Sequence, residues 1–245
     1  MQVQFIGTGD AFGSGGRFNT CFHVIGDQAD FLIDCGSSSV IALKVNNVGL
    51  NSIQTIFVTH FHADHFGGIP FFILDAQLLS KRKGPLTIAG PPGLEEWYER
   101  VMETAFTGSS QTKHSFDLSL VELDPNRSET VNGTVVRPFL VNHGPSGGPC
   151  FAYRFEVDGR FITYSGDTEW TDELVAAGGG VDLFISEAYC FEKKVKHHLD
   201  LATLQNNLSR IQPKRLVLTH MSEDMLNRVE LSGYETAEDG MIITL

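Results

Sequence analysis

Short runs in which apolar and polar residues alternate dominate the first part of the chain, and they predict β-strands. Three such runs, rich in branched and aromatic residues and bounded by Gly or Asp, cover residues 3–7, 21–26 and 30–34. Ser37 is expected to cap a first helix that ends near Asn47. The chain therefore begins as a set of strands followed by a short helix.

The later pattern adds further strands and longer helical segments. An apolar run over residues 55–60 predicts a strand, and residues 69–80 predict a helix, followed by the strand LTIAG and the helix LEEWYERVMETAF. After Phe116 the β pattern returns, and Asp158-Gly159 between two alternating runs predicts a hairpin. The last third alternates helix and strand. This order predicts an α/β fold of two sheets covered by outer helices.

Composition limits the organisation and location of the molecule. With 245 residues, 42% of them hydrophobic, the chain is long enough for a single domain spanning residues 1–245. Its four cysteines form no CxxC pair, which favours buried free thiols over a zinc knot or a disulfide framework. No apolar run of about eighteen residues and no leader-like N-terminus is evident, so we expect no membrane association and a cytoplasmic location.

Charge argues against a dedicated nucleic-acid-binding protein. The formal net charge of −12 would repel a polyanion at long range, so a large nucleic acid is a disfavoured partner. The basic run Lys81-Arg82-Lys83 is expected to lie in a solvated helix end or loop.

The sequence THFHADH, directly after the strand IFVT, is the strongest chemical signal. His60 and His62 are two residues apart at an extended strand exit, so their rings can point the same way. Asp64 and His65 follow a bend and can face a second centre. A lone histidine is usually an ordinary polar or packing residue, but this combination is improbable by chance. It predicts metal binding.

Further ligand residues end later apolar strands, namely His143, Asp167 and His220. Each alone would be read as a turn or cap residue. Together they bring the set to five His and two Asp, which suits two divalent metal ions with Asp167 between them. Zinc is the expected metal, and manganese or iron would fit similar ligands.

The motifs HFHADH, SGDT and LTH, in this order with His143 between the first two, resemble the metallo-β-lactamase superfamily over essentially the whole chain. The resemblance implies an αββα sandwich of two mixed β-sheets flanked by helices, with a dinuclear metal site at one edge. It assigns the first metal to His60, His62 and His143, the second to Asp64, His65 and His220, and Asp167 to both. Asp34 in LIDCG would support the site by hydrogen bonding to a ligand.

Two segments resemble the ribonuclease Z-like branch of that superfamily: GTGDAFGSGGRFNT and ISEAYCFEKKVKHHLDLATLQNNLSRIQPKRLVLTH. By this resemblance His198 would protonate the leaving alkoxide, Glu187 would hold its ring, and Asp64 would orient the attacking water. The chain departs from the branch at Ser186 and at Leu199-Asp200, and the adjacent His197 is an alternative proton donor.

Transfer-RNA-processing members carry a long basic arm between the third metal histidine and the GDT motif, where this chain has only a loop and a hairpin. The difference favours a small phosphodiester or a cyclic nucleotide as substrate, as in the short cyclic-phosphate phosphodiesterases that the chain resembles. The alternatives are a tRNA 3′-end endoribonuclease, an arylsulfatase, an acyl-ester or lactone hydrolase, and a non-catalytic metal-binding module.

The resemblance to the ribonuclease Z-like branch also implies a homodimer. Phe12 and Phe71-Phe72 could line a pocket for a base or aryl group, although core packing is the expected role of such residues.

Overall fold

A computed structural model describes residues 1–145, 147–228, 231 and 233–245 of the chain. The strands are β1 Gln2–Gly7, β2 Cys21–Ile25, β3 Asp30–Ile33, β4 Thr55–Phe57, β5 Leu86–Gly90, β6 Leu118–Glu122, β7 Glu129–Val131, β8 Thr134–Val141, β9 Cys150–Val157, β10 Arg160–Tyr164, β11 Leu183–Glu187, β12 Leu216–Thr219 and β13 Ile242–Thr244. The helices are α1 Ser39–Val45, α2 Ala63–Phe66, α3 Ile69–Leu78, α4 Leu94–Ala105, α5 Glu173–Gly178, α6 Leu201–Ile211 and α7 Glu223–Leu226.

The strands form two mixed sheets, as the sequence predicts. The first sheet has the order β13-β1-β2-β3-β4-β5-β6, antiparallel from β13 to β3 and parallel from β3 to β6. The second has the order β12-β11-β10-β9-β8-β7, parallel from β12 to β10 and antiparallel from β10 to β7. The β9–β10 hairpin turns at Asp158-Gly159, where both residues have positive φ, which confirms that prediction.

Three layers of buried apolar side chains lie between four layers of secondary structure. The central layer joins the inner faces of the two sheets and is rich in aromatic rings, for example Phe57, which lies 5.2 Å from Phe31 and 5.0 Å from Phe155 between ring centroids. A second layer packs the first sheet against α1, α3 and α4, and a third packs the second sheet against α5 and α6. The predicted αββα arrangement is confirmed.

Several local predictions need correction. Helix α1 begins at Ser39, with Ser38 rather than Ser37 in the N-cap position, and the hydroxyl of Ser38 hydrogen-bonds to Asn19 instead of capping the helix. The strand after α1 ends at Phe57, so His60 lies in a loop. Strand β7 was not predicted, although Asn132-Gly133, both with positive φ, is a hairpin turn of the type that joins it to β8.

Arg82 is not solvated, contrary to the expectation for its basic run. Only 2% of its surface is exposed, and its guanidinium donates hydrogen bonds to the carbonyl oxygens of Leu50, Ile53, Gly84 and Pro85. Lys81 and Lys83 on either side are exposed, as expected. All four cysteines are buried and free, which confirms the interpretation of their spacing. No helix within the described residues is long and apolar enough to cross a membrane.

Candidate metal centre

One edge of the sandwich carries all seven predicted ligands. Helix α2 bears Asp64 and His65, and the loop that precedes it bears His60 and His62. The other ligands each follow a strand of the second sheet: β8 leads to His143, β10 to Asp167 and β12 to His220. Because these strands end at the same edge, residues distant in sequence meet there.

The backbone at this edge is held in unusual conformations. Asp34 and His220 have positive φ values of 62° and 54°, a conformation that is uncommon for residues other than glycine. Gly166, just before Asp167, has a φ of 60°, and a Cβ atom there would lie 2.5 Å from the carbonyl oxygen of Phe151. Only glycine fits at this position, so the backbone conformation of Gly166 determines the direction from which Asp167 enters the site.

A first group of ligand atoms consists of three histidine nitrogens. His62 Nδ1 lies 3.1 Å from His60 Nε2 and 3.1 Å from His143 Nε2. The ring of His143 donates from Nδ1 to the carbonyl oxygen of His197 at 2.8 Å, which leaves Nε2 as the nitrogen with a free lone pair. The three nitrogens can therefore ligate one metal ion.

A second group combines two histidines with two carboxylates. Asp167 Oδ2 lies 3.3 Å from His65 Nε2 and 3.2 Å from His220 Nε2. Asp64 Oδ2 is 3.3 Å from His65 Nε2 and 4.0 Å from His220 Nε2. The same oxygen of Asp167 is 3.8 Å from His143 Nε2, so it lies between the two groups, as a bridging ligand would.

Side chains behind the ligands fix their orientation. Asp34 accepts a hydrogen bond from His65 Nδ1 at 2.7 Å, and it accepts two more from the backbone N–H and the hydroxyl of Thr59. Thr59 Oγ1 also lies 3.1 Å from His60 Nδ1, and Thr20 Oγ1 lies 3.2 Å from His220 Nδ1. The supporting position of Asp34 matches the expectation. The two threonines were not predicted, and only the position of Thr59 directly before His60 hinted at its contact.

Unsatisfied polar atoms and the charge of the cluster both fit a bound cation. His65 Nε2 and Asp167 Oδ1 are buried, and neither has a hydrogen-bond partner within the described part of the chain. Burial would lower the pKa of His65, but the carboxylates of Asp167, Asp64 and Asp34 outweigh it and raise that pKa well above its usual value. Buried carboxylates that favour the protonated form of a histidine also favour a divalent cation, which can replace the proton and offset the same negative charge.

His198 and Glu187 form a hydrogen-bonded pair beside the ligands. Glu187 is fully buried, and its Oε2 lies 3.0 Å from His198 Nδ1. Burial would lower the pKa of His198, but the hydrogen bond and charge of Glu187 raise it to about 9. Tyr189, which the sequence did not indicate, stacks on His198 with ring centroids 4.5 Å apart. The imidazole is therefore held in one orientation by Glu187 and Tyr189.

His197 occupies a different position from His198. Its backbone carbonyl holds His143, whereas its ring Nδ1 lies 4.0 Å from Glu169 and has no hydrogen-bond partner among the described residues. Of the adjacent lysines, Lys194 is paired with Asp200 at 2.7 Å, while Lys196 lines the cleft above the metal ligands. Of the two histidines, His198 is therefore the one whose ring is hydrogen-bonded to a buried carboxylate beside the predicted ligands.

Five of the seven predicted ligands, together with His198, line one open cleft of about 240 Å³: His62, Asp64, His143, Asp167 and His220. Its walls also include Ala11 and Phe12 from the loop after β1, and Tyr189 and Lys196 from the segment after β11.

Known proteins resemble the chain over its full length. The ribonuclease Z of Agathobacter rectalis is 26% identical, over 92% of this chain and 89% of its own. The crystal structure of human tRNase Z, short form, superposes with a TM-score of 0.81 at 27% identity, over 100% of this chain and 99% of that one. A diphosphatase of the PhnP family, at 20% identity and a TM-score of 0.78 over 100% and 97%, shares the fold.

The family described as anti-Pycsar protein Apyc1 matches residues 1–239. The matched range contains the histidine-rich loop, the positions of all seven predicted ligands, and the His198–Glu187 pair. The chain therefore belongs to the anti-Pycsar protein Apyc1 family and is a ribonuclease Z-like member of the metallo-β-lactamase superfamily.

Proposed function

We propose that the chain is a metal-dependent phosphodiesterase that acts on small phosphodiesters or cyclic nucleotides, with residues 1–245 acting as a single domain. The observation that carries the proposal is the His198–Glu187 pair, which shares one cleft with both groups of ligand atoms. Hydrolysis of an alkyl phosphodiester needs a proton donor for the leaving oxygen, and a simple metal-binding module has no use for one.

Different residues of the chain would perform the separate tasks of this reaction. His60, His62 and His143 would hold one divalent ion and Asp64, His65 and His220 the other, with Asp167 contacting both. When bound, such ions make hydroxide available near neutral pH and offset the charge of the phosphate. Asp64 orients the attacking water, His198 gives its proton to the departing alkoxide, and Glu187 stabilises the protonated ring.

The segment between His143 and Asp167 supports a small substrate. It contains the β9–β10 hairpin and only two basic residues, Arg154 and Arg160. Arg154 hydrogen-bonds to the carbonyl oxygen of Gly179 at 3.1 Å, and Arg160 pairs with Asp182 at 3.3 Å. These arginines are engaged within the protein, and with a net charge of −12 the chain offers little to hold the body of a tRNA.

A tRNA 3′-end endoribonuclease is the second candidate. It is favoured by the likeness to ribonuclease Z of Agathobacter rectalis and to human tRNase Z, short form. The same residues would serve both reactions, since each breaks a phosphodiester bond. An arylsulfatase and an acyl-ester or lactone hydrolase remain alternatives for this ligand set, although acyl transfer leaves the His198–Glu187 pair without a clear task.

The first experiment measures initial rates of zinc-loaded and manganese-loaded protein on bis(p-nitrophenyl) phosphate and p-nitrophenyl sulfate, with a chelated sample and Asp167→Ala as controls. We expect metal-dependent release from the diester that both controls lose. A 3′,5′-cyclic nucleotide and a precursor tRNA are then compared, and the cyclic nucleotide should be the better substrate. Turnover mainly of the sulfate, or of the tRNA, would replace the proposal by the corresponding alternative, and silence on all four would leave a binding role.

Three further expectations belong to this proposal. Zinc is the expected ion because histidine and aspartate dominate the ligand set, and the metal content of purified protein tests it. A homodimer is expected from the resemblance to the ribonuclease Z-like branch and is tested by light scattering. A cytoplasmic location stays a prediction from sequence.

A further inference from the structure

Phe12 is the most exposed large apolar side chain among the described residues. It lies in the loop after β1 and is 82% exposed, so it does not have the core-packing role expected for it. The same ring lines the cleft that contains the metal ligands. A single exposed apolar ring is common on protein surfaces, but this one lines the cleft of the predicted ligands, where a bound ligand would cover it.

The loop that carries Phe12 is fixed rather than loosely attached. The carboxylate of Asp10, only 1% exposed, accepts hydrogen bonds from the backbone N–H groups of Phe12 and Ser14 at 3.1 and 2.9 Å. It also accepts one from the hydroxyl of Ser14 at 2.7 Å. Glu223 accepts a further bond from the N–H of Gly15 at 3.2 Å. Phe12 is therefore presented to solvent by a preorganised backbone, which lowers the entropy cost of stacking a ring on it.

A side cleft of about 580 Å³ opens next to the catalytic cleft, and the two share Phe12 and Tyr189 as walls. Tyr189 stacks on His198, the proposed proton donor. The side cleft therefore opens from the catalytic cleft along the wall that Phe12 and Tyr189 form. A substituent attached to the phosphate can enter it without displacing any ligand residue.

Most polar groups of the side cleft already have partners within the described residues, and Lys193 is an exposed cation at its wall. Ser222 donates its hydroxyl hydrogen to the carbonyl oxygen of Tyr189, and Asp224 accepts from the N–H of Phe191 at 3.0 Å and pairs with Arg228 at 2.8 Å. The apolar lining includes Phe12 together with Val195. A ligand here gains more from contact with ring faces and apolar surface than from hydrogen bonds to its edge.

We propose that Phe12 and Tyr189 border a subsite for a planar aromatic substituent of the substrate, such as the base of a nucleotide, which stacks on the exposed ring of Phe12. The proposal rests on the proposed phosphodiesterase function and adds a specificity-determining residue to it. Stacking of a base on one aromatic side chain strengthens binding about tenfold. Loss of the ring should therefore change selectivity about tenfold.

The test compares bis(p-nitrophenyl) phosphate with methyl p-nitrophenyl phosphate, which share a leaving group and differ in whether the other substituent is aromatic. In Phe12→Ala the ratio of their kcat/KM values should fall about tenfold toward the methyl ester. Phe12→Trp should retain the ratio, and Phe12→Leu should be intermediate. Phe71→Ala is the control, because Phe71 is 45% exposed and lies outside both clefts. It should leave the ratio of the two kcat/KM values unchanged.

A binding measurement separates failure of the subsite from failure of the proposed function. By calorimetry, Phe12→Ala should lose about tenfold in affinity for adenosine monophosphate relative to ribose 5-phosphate. Turnover of the methyl ester with no change in either ratio would overturn the subsite and leave the phosphodiesterase intact. No turnover by wild-type protein would overturn the phosphodiesterase, and the calorimetric ratio would then decide the subsite: a tenfold fall supports it, and no change overturns it.

Discussion

At the scale of single residues, the division between His197 and His198 is the most informative feature of the site. Both histidines stand next to each other in sequence, but only His198 is hydrogen-bonded to a buried carboxylate, that of Glu187 at 3.0 Å. His197 contributes its backbone carbonyl to the orientation of His143. A contact made by the backbone does not depend on the side chain, so substitutions of the two rings should have different consequences.

We expect His198→Ala to keep its metal ions and to lose about 10² to 10⁴ in kcat on a 3′,5′-cyclic nucleotide, whose leaving group is an alkoxide. The loss on bis(p-nitrophenyl) phosphate should be much smaller, because nitrophenolate leaves without protonation. Steady-state kinetics on both substrates, with metal content measured on the same samples, provides the comparison.

His197→Ala is the matched control for this prediction, since it removes the adjacent imidazole and leaves the carbonyl bond to His143 in place. Its loss on the cyclic nucleotide should be far smaller than that of His198→Ala. If the two variants behave in reverse order, His197 is the proton donor. If His198→Ala loses equally on both substrates, general acid catalysis by its ring is wrong.

At the scale of elements, Arg82 connects the loop before β4 to the loop before β5. It donates to the carbonyl oxygens of Leu50 and Ile53 on one side and of Gly84 and Pro85 on the other. Arg82→Ala would leave these buried carbonyls without a donor, so we expect it to lower the free energy of unfolding by about 3 kcal/mol. Urea denaturation measures this difference.

Lys83→Ala serves as the control for Arg82→Ala, because Lys83 is exposed and lies in the same basic run. It should change the free energy of unfolding by less than about 0.5 kcal/mol. Arg82→Lys should fall between the two, since an ammonium group cannot reach several carbonyls with the planar fork of a guanidinium. An Arg82→Ala protein as stable as wild type would show that these hydrogen bonds contribute little to the free energy of unfolding.

Prediction from sequence succeeded for elements whose signal is local, since apolar runs gave every strand of the two sheets except β7. The seven residues it named as candidate ligands also lie together at one edge of the sandwich. It failed where the outcome depends on distant contacts. The burial of Arg82 depends on two loops that meet only in the folded chain, and the exposure of Phe12 depends on hydrogen bonds to Asp10 that turn its loop outward.

At the scale of the whole molecule, the candidate metal centre is built from both sheets, so metal binding there is expected to affect global stability. His60 and His65 come from the connection after β4 of the first sheet, while Asp167 and His220 follow strands of the second. Backbone bonds also cross this edge, from Phe151 N–H to the carbonyl oxygen of Thr59 at 3.0 Å. Metal ions bound by both sets of ligands would oppose separation of the sheets, which unfolding requires.

Bound metal should accordingly stabilise the fold, because the assembled ligand set exists only in the native state. At a free zinc concentration 1,000 times the dissociation constant, binding adds about 4 kcal/mol, and for a chain of this size we expect Tm to rise by about 10 °C. Differential scanning calorimetry of chelated and zinc-loaded protein measures the shift.

Asp167→Ala should lose most of the zinc-dependent rise in Tm, because the carboxylate of Asp167 contacts both ligand groups. Asp172→Ala, which removes an exposed carboxylate paired with Arg210, should keep it. A full zinc-dependent rise in Asp167→Ala would show that Asp167 does not ligate metal, whatever its effect on turnover.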